Sequence, residues 1–304
     1  MSAPFFNKVY SALKVLEPEL VETGNFRYIY DRRAYRKEFY NFLVNVFHLY
    51  PEDKIHQHIT LIALKEKTDE AIYRKLQEDI DWFKPFLADL RYALPALAKQ
   101  KNVIASQTVK LLGKDKFIQG YLEVGSNGRY IDALEHELDI NGDIFFLNSK
   151  PATFSPVDMI DRGQIIKAGI DIQLNNYDSS LATYIPNKSI DLATVYIGFH
   201  HCPNHLREEF ITSIRDALTD KGSLILRDHN AHDKKMWHMV ALAHDVFNMG
   251  TMESWQVNQD ELRLFYSHQQ LDSMLQKYGF KTDGRKLYQQ GDPTLNALML
   301  YTKA

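Results

Sequence analysis

Apolar positions recur at helical spacing through the first third of the chain. Between Asp31 and Tyr50 they are Tyr35, Phe39, Phe42, Leu43, Val46, Phe47 and Tyr50, with Arg32, Arg33, Arg36 and Lys37 on the opposite face. That spacing predicts a helix, and Pro51 stops it, because proline has no amide hydrogen to continue the ladder. Further helices are expected over His58–Lys65, over Asp69–Leu90 behind a Thr68 cap, and over Ala96–Leu112, with Pro85 kinking or ending the second of these. Gly113 follows, a residue suited to the left-handed turn that ends many helices.

Past Gly113 the period changes. Strand-length apolar runs at Gly120–Val124, Ile144–Leu147, Ile170–Leu174, Leu192–Ile197, Ser223–Arg227, Lys286–Gln289 and Leu295–Tyr301 alternate with helix-length segments. Those segments are Tyr130–Glu137, Pro156–Lys167, Arg207–Leu218, Lys235–Phe247 and Ser267–Tyr278. Such alternation argues for a mostly parallel sheet with helices on both faces. The expected division is a helical domain over 1–113 and an α/β domain over 114–304, with the boundary in LLGKDKF.

Composition narrows the class. The 304 residues are 45% hydrophobic and 25% charged, which suits a globular chain rather than a disordered one. No apolar run reaches the roughly 20 residues that span a bilayer, and MSAPFFNKVYSALKVLEPEL lacks the order of a secretory signal. One cysteine, Cys202, excludes an internal disulfide framework and a cysteine zinc cluster, so a cytoplasmic protein is expected. Net charge is −3, with residues 1–115 at +3 and the remainder at −6, and neither part has the basic stripe of a nucleic-acid binder. The first fifty residues are rich in aromatics. Most are expected in a helical core, with Phe5, Phe6 and Tyr10 as exceptions suited to a lid or a homodimer surface.

The segment YLEVGSNGRY, Tyr121 to Tyr130, carries the first chemical signal. A strand runs through Glu123 into Gly125, Ser126, Asn127 and Gly128, and a helix follows. Glycines at such a turn let backbone approach a ligand closely and leave amide hydrogens facing it. Three more segments stand in order behind it. They are IPNKSIDLATVYIGFHHCPN (185–204), LTDKGSLILRDHN (218–230) and LFYSHQQLDSMLQKYGFK (264–281).

Together these four segments resemble the class I S-adenosylmethionine-dependent methyltransferases over residues 118–304. The resemblance implies a Rossmann-like, seven-stranded sheet, S-adenosyl-L-methionine as cofactor, and methyl transfer; since no nucleic-acid footprint and no membrane span is visible in the sequence, a small-molecule acceptor is expected. It places Glu123 on the amino group of the methionine moiety and the loop Gly125, Ser126, Asn127 and Gly128 under the carboxylate and ribose. Asn148 stands at the end of the second strand, where a carboxylate usually holds the ribose. Asp178 falls at the adenine amine with Tyr177 stacking on the ring, and Ile197, Gly198 and His200 lie beside the cofactor. Asn127 stands where a glycine is usual; asparagine tolerates left-handed geometry, so the turn can survive.

Methyl transfer requires alignment above all, and a base when the acceptor must lose a proton. His229 and His201 are the candidate bases, each with a structural alternative as a brace or a packed side chain. A metal reading of His200, His201, His229, His232, His238 and His244 lacks diagnostic ligand spacing, and no metal is expected. Adjacent histidines on a continuing strand would point to opposite faces. Two alternatives stand beside the methyltransferase: a non-catalytic binding or regulatory protein on the same fold, and a nicotinamide-dependent oxidoreductase. Against the latter are the incomplete glycine fingerprint, Asn148, and an antiparallel-looking final strand pair.

Overall fold

The computed structural model describes residues 24–84, 92–113, 117–151, 153–164, 169–178 and 181–304. Phe5, Phe6, Tyr10, Pro85 and the Lys114–Lys116 stretch of the expected boundary lie outside the described residues. The chain divides into two units, and the division differs from one near residue 113. One unit takes residues 1–88, 231–261 and 290–294, and the other takes 89–230, 262–289 and 295–304.

The first unit is helical. Its principal helices are Asn25–Tyr30, Arg33–Phe42, Glu52–Ala63, Asp69–Glu78, Lys234–Gly250 and Trp255–Asp260. The pattern expected as one helix to Tyr50 instead ends at Phe42 and widens into a π turn, Leu43–Phe47, which His48 closes with φ +48°. Pro51 opens the next helix rather than closing this one. Thr68 caps Asp69–Glu78 as expected, its hydroxyl accepting from the Ala71 amide at 3.2 Å. Phe26, Tyr30, Phe39, Phe42, Phe47 and Tyr50 are buried, so six of the nine described aromatics of the first fifty residues are core. The helix Lys234–Gly250 joins this unit because apolar side chains occupy most of its surface: Met236, Met239, Val240, Leu242, Val246 and Met249 are all buried.

The second unit is a seven-stranded sheet. Its strands are β1 Phe117–Val124, β2 Asp139–Asn148, β3 Ile170–Gln173, β4 Ile190–Val195, β5 Leu218–Asp228, β6 Phe280–Tyr288 and β7 Ala297–Lys303. They lie in the order β3-β2-β1-β4-β5-β7-β6. All neighbours are parallel except β7, which runs antiparallel between β5 and β6. Each sheet face buries its own apolar layer. Leu122, Val124, Ala193, Val195 and Leu224 pack on one side, and Tyr121, Leu192 and Ile225 on the other, as the period of two dictates. The helix Leu94–Leu112 covers the second face through Ile104, Ala105, Val109 and Leu112, so it belongs with the sheet and not with the helices before it.

The chain leaves β1 for β2 on one side and reaches β4 on the other. Such a reversal opens a crevice at the carboxyl ends of the central strands. Pairing of Val124 with Val195 and of Val195 with Leu226 brings three strand ends side by side. The segments that leave them are Gly125–Tyr130, Tyr196–His201 and Asp228–Asn230.

Candidate functional site

The turn after β1 is shaped by two glycines in left-handed geometry, Gly125 at φ +82° and Gly128 at φ +81°. Gly125 donates its amide to the Leu147 carbonyl at 2.9 Å, which ties the turn to β2. A β-carbon on Gly125 would fall inside contact distance of the Ile197 carbonyl oxygen and 3.2 Å from its carbon. The two strand ends therefore touch backbone to backbone, and only hydrogen fits between them. Asn127 is not among the residues with positive φ, so its substitution for glycine puts no left-handed demand on the turn.

Glu123 is fully buried. Its carboxylate accepts from the Ser126 hydroxyl, from the Tyr121 hydroxyl at 3.0 Å and from the Tyr130 amide at 3.4 Å. The Arg129 amide is a further donor. Burial pushes the Glu123 pKa up against these donors. The Tyr121 hydroxyl also meets Thr194 Oγ1 at 2.8 Å, so a buried polar chain links β1 to β4 beneath the turn. The residue expected to reach a ligand's amino group thus holds the turn from inside. Asn127 behaves differently: its side-chain oxygen is buried, with no hydrogen-bond partner among the described residues.

The other expected contacts divide. Asn148 ends β2 and turns its amide to the Lys150 carbonyl at 3.3 Å. Asp178 is exposed. Tyr177 is buried in the core, edge-on to Phe210 at 5.0 Å between centroids, with its hydroxyl donating to the Gly198 carbonyl. Its ring is committed to packing, which corrects the expectation that it stacks on a ligand. Three successive left-handed residues, Asn175, Asn176 and Tyr177, turn it inward.

Gly198, at φ +87°, ends the β4 extension and starts a 3-10 turn over Phe199–His201. The two histidines are therefore not on a strand. Their rings lie 4.3 Å apart, and the opposite-face argument fails for them. His200 Nδ1 lies 2.9 Å from Asp228 Oδ1, and both residues are buried. His201 is half-buried and donates Nδ1–H to the Leu262 carbonyl at 2.7 Å.

Asp228 is the centre of this cluster. Its Oδ1 also accepts from the His229 amide at 2.8 Å, and its backbone carbonyl accepts from His268 Nε2 at 3.0 Å. Burial would raise the Asp228 pKa, but the nearby His200 and His229 outweigh it and hold the carboxyl below its usual range. Burial drives His229 the other way, down to about 3, so its imidazole is neutral near pH 7 and weakly basic. The Phe265 ring, 5.3 Å from the His200 ring, gives the dyad an apolar flank. Sequence reasoning considered Asp228 as part of a bracing loop or a metal site and missed its pairing with His200, because RDHN drew attention to its own histidine.

No protein-family model and no curated protein sequence matches the chain. Several solved structures resemble it at low identity. The mitomycin 7-O-methyltransferase MmcR is 14% identical with a TM-score of 0.46, over 76% of this chain and 60% of the other, so this chain spans about three-fifths of that enzyme. An O-methyltransferase family 2 protein of Planctomyces limnophilus, complexed with apigenin, is 11% identical with a TM-score of 0.48, over 82% and 69%. A putative methyltransferase in complex with the Haloferax volcanii Trm112 activator is 10% identical with a TM-score of 0.48, over 76% and 97%. No helix among the described residues is long and apolar enough to cross a membrane.

Proposed function

We propose that this chain is an S-adenosylmethionine-dependent methyltransferase acting on a small-molecule acceptor through an ionisable O–H or N–H group. The observation that carries the reading is the pair of neighbouring strand ends: a glycine turn closed on the Ile197 carbonyl, beside a buried His200–Asp228 dyad. The four sequence segments and the final antiparallel strand support the same reading.

The donor site fits what the turn offers. Gly125, Ser126, Asn127 and Gly128 would hold the amino-acid end of the cofactor, Glu123 would hold the turn, and Asn148 and Asp178 stand toward the ribose and adenine. When bound, the cofactor supplies an activated methyl group on a sulfonium. The protein's part is to align the acceptor, exclude water and manage one proton. Asp228 orients His200 through Nδ1, so Nε2, the nitrogen away from Asp228, takes the acceptor's proton. Ionised Asp228 stabilises the imidazolium that results. His229, neutral and weakly basic, braces the turn in this scheme, and His201 anchors the Leu262 segment. The catalytic proposal therefore moves from His229 and His201 to His200.

Calorimetry with S-adenosylhomocysteine, NAD and NADP tests the cofactor. Micromolar binding of the first alone is the expected result, and binding of a nicotinamide cofactor alone overturns the reading. Turnover on a panel of phenols, hydroxyacids and amines then separates an enzyme from a binding protein on the same fold.

A further inference from the structure

Within the helical unit, Asn25, Tyr28, Arg32, Lys234 and Trp237 surround the imidazole of His238. The Asn25 side chain fixes the state of that ring. Asn25 Nδ2 donates to Asp245 Oδ2 at 2.8 Å, and Asn258 Nδ2 donates to the other oxygen of the same carboxylate at 2.9 Å. Asn25 Oδ1 therefore faces His238 Nδ1, 3.0 Å away. An amide oxygen only accepts, so Nδ1 carries the ring hydrogen and Nε2 carries the lone pair. His238 is fully buried, and Nε2 has no hydrogen-bond partner among the described residues. Burial, then the charges of Lys234 and Arg32, lower the His238 pKa to about 4, so the ring is neutral near pH 7. The Tyr28 ring stacks on it at 3.8 Å between centroids, and the Trp237 ring stands edge-on at 5.4 Å. Stacking alone needs no ring nitrogen at that position, and a buried acceptor is costly unless a donor meets it.

We infer that this cluster binds a hydroxy-substituted aromatic acid, whose hydroxyl donates to His238 Nε2. The site goes beyond the methyltransferase reading, because it is built by the helical unit alone. Arg32 and Lys234 decide the charge of the ligand. The Arg32 guanidinium lies 4.3 Å from the Tyr28 ring centre, and the Lys234 ammonium lies 6.0 Å from it. Arg32 gives Nη1 to the Tyr28 carbonyl at 2.7 Å, which leaves the other side of its exposed guanidinium to a carboxylate. Two cations beside the lone pair disfavour an ammonium or a metal ion there, and favour a neutral O–H on an anionic molecule. The half-buried rings of Tyr28 and Trp237 suit an aromatic body. The chain from Asp245 through Asn25 to His238 thus holds a ring nitrogen as an acceptor, in a place where only a ligand of opposite charge to its neighbours is drawn.

The test measures binding of the three hydroxybenzoate isomers, their methoxybenzoate counterparts and phenol to the full chain by calorimetry, together with nitrogen NMR of ring-labelled histidine. At least one hydroxybenzoate should bind. Its methoxy counterpart keeps the charge but cannot donate, and should bind about tenfold or more weakly. The Nε2 resonance of His238 should move with the hydroxybenzoate and not with the methoxybenzoate, a readout that needs no variant. His238→Phe keeps the ring stack and should lose the preference for the hydroxyl. Arg32→Gln, at an exposed position, should weaken the hydroxybenzoate about fivefold or more and leave phenol within twofold. Failure of all three hydroxybenzoates to bind, equal binding of hydroxy and methoxy compounds, an unmoved Nε2 resonance, or wild-type affinity in Arg32→Gln overturns the inference. Cofactor titration of the sheet unit is unaffected by any of these results, so the two readings fail separately.

Discussion

Gly125→Ala places one methyl group where two strand ends already touch, and its cost can be worked from the geometry. The residue is at φ +82°, where an alanine pays about 1–2 kcal/mol for left-handed backbone. The new β-carbon would also collide with the Ile197 carbonyl, whose carbon lies 3.2 Å from the ideal position. That neighbour is backbone and cannot rotate aside, so the strand end must shift, at an overpacking cost of roughly 1–3 kcal/mol. The sum, about 2–5 kcal/mol, corresponds to a fall in melting temperature of roughly 5–15 °C. Gly284→Ala is the control, because Gly284 is at φ +79° with nothing within 4 Å of the added atom. It carries the conformational cost without the collision. Scanning calorimetry of both variants gives the collision as their difference, and titration with S-adenosylhomocysteine reports the turn. Gly125→Ala should melt well below Gly284→Ala and lose at least tenfold in affinity. Two variants of equal stability, with Gly125→Ala binding as wild type does, would show that the Gly125–Ile197 contact neither shapes the turn nor serves a ligand.

Three further outcomes follow from the titratable groups. His200→Ala should lower turnover on a responsive acceptor by about a hundredfold or more with cofactor affinity within a few-fold of wild type, and Asp228→Asn should follow it; full activity in both removes the dyad from the chemistry. His229→Ala should lose thermal stability more than turnover: its folded pKa, held down to about 3 by burial, lies below the ordinary 6.5, so its contribution is present above pH 6.5 and lost as pH falls through 3. Melting curves across that window should be shallower for the variant, and an unchanged slope refutes the brace. In the helical unit, burial and then the Asp245 charge raise Asp69 from 3.8 to about 7, so its contribution is greatest below pH 3.8 and lost as pH rises through 7. Asp69→Asn should gain on wild type in thermal stability between pH 4 and 8; a constant difference across that range contradicts the shift.

The alternation of apolar runs disclosed the sheet and its mostly parallel character, because those runs are short, apolar and separated by helix-length segments. It did not disclose where Lys234–Gly250 belongs. That helix lies in sequence between β5 and β6, so periodicity assigns it to the α/β region. Its burial of Met236, Val240, Leu242 and Met249, with Asp245 accepting from Asn25 Nδ2 at 2.8 Å and from Asn258 Nδ2 at 2.9 Å, places it among the helices instead. Apolar spacing says that a face is buried, not which neighbour buries it.

The site was legible to the same depth. The turn through Gly125, Ser126, Asn127 and Gly128 could be read as a turn because backbone demands leave a mark in residue type, and a strand followed by glycines is such a mark. The dyad leaves no comparable mark. His200 and Asp228 are 28 residues apart, and they meet only because β4 and β5 are parallel neighbours and Gly198 turns the chain at the end of the first. Without that turn the strand rule separates His200 from His201, and attention passes to His229, the more conspicuous residue of RDHN. Burial then decides between two histidines that look alike in sequence. One faces a carboxylate held ionised by its neighbours, while the other, beside the same acid, bonds it through its backbone amide and is driven neutral by burial. The His200–Asp228 pair is therefore a product of strand order as much as of residue identity. The dyad should fail when the β4–β5 register is disturbed, even with both side chains intact.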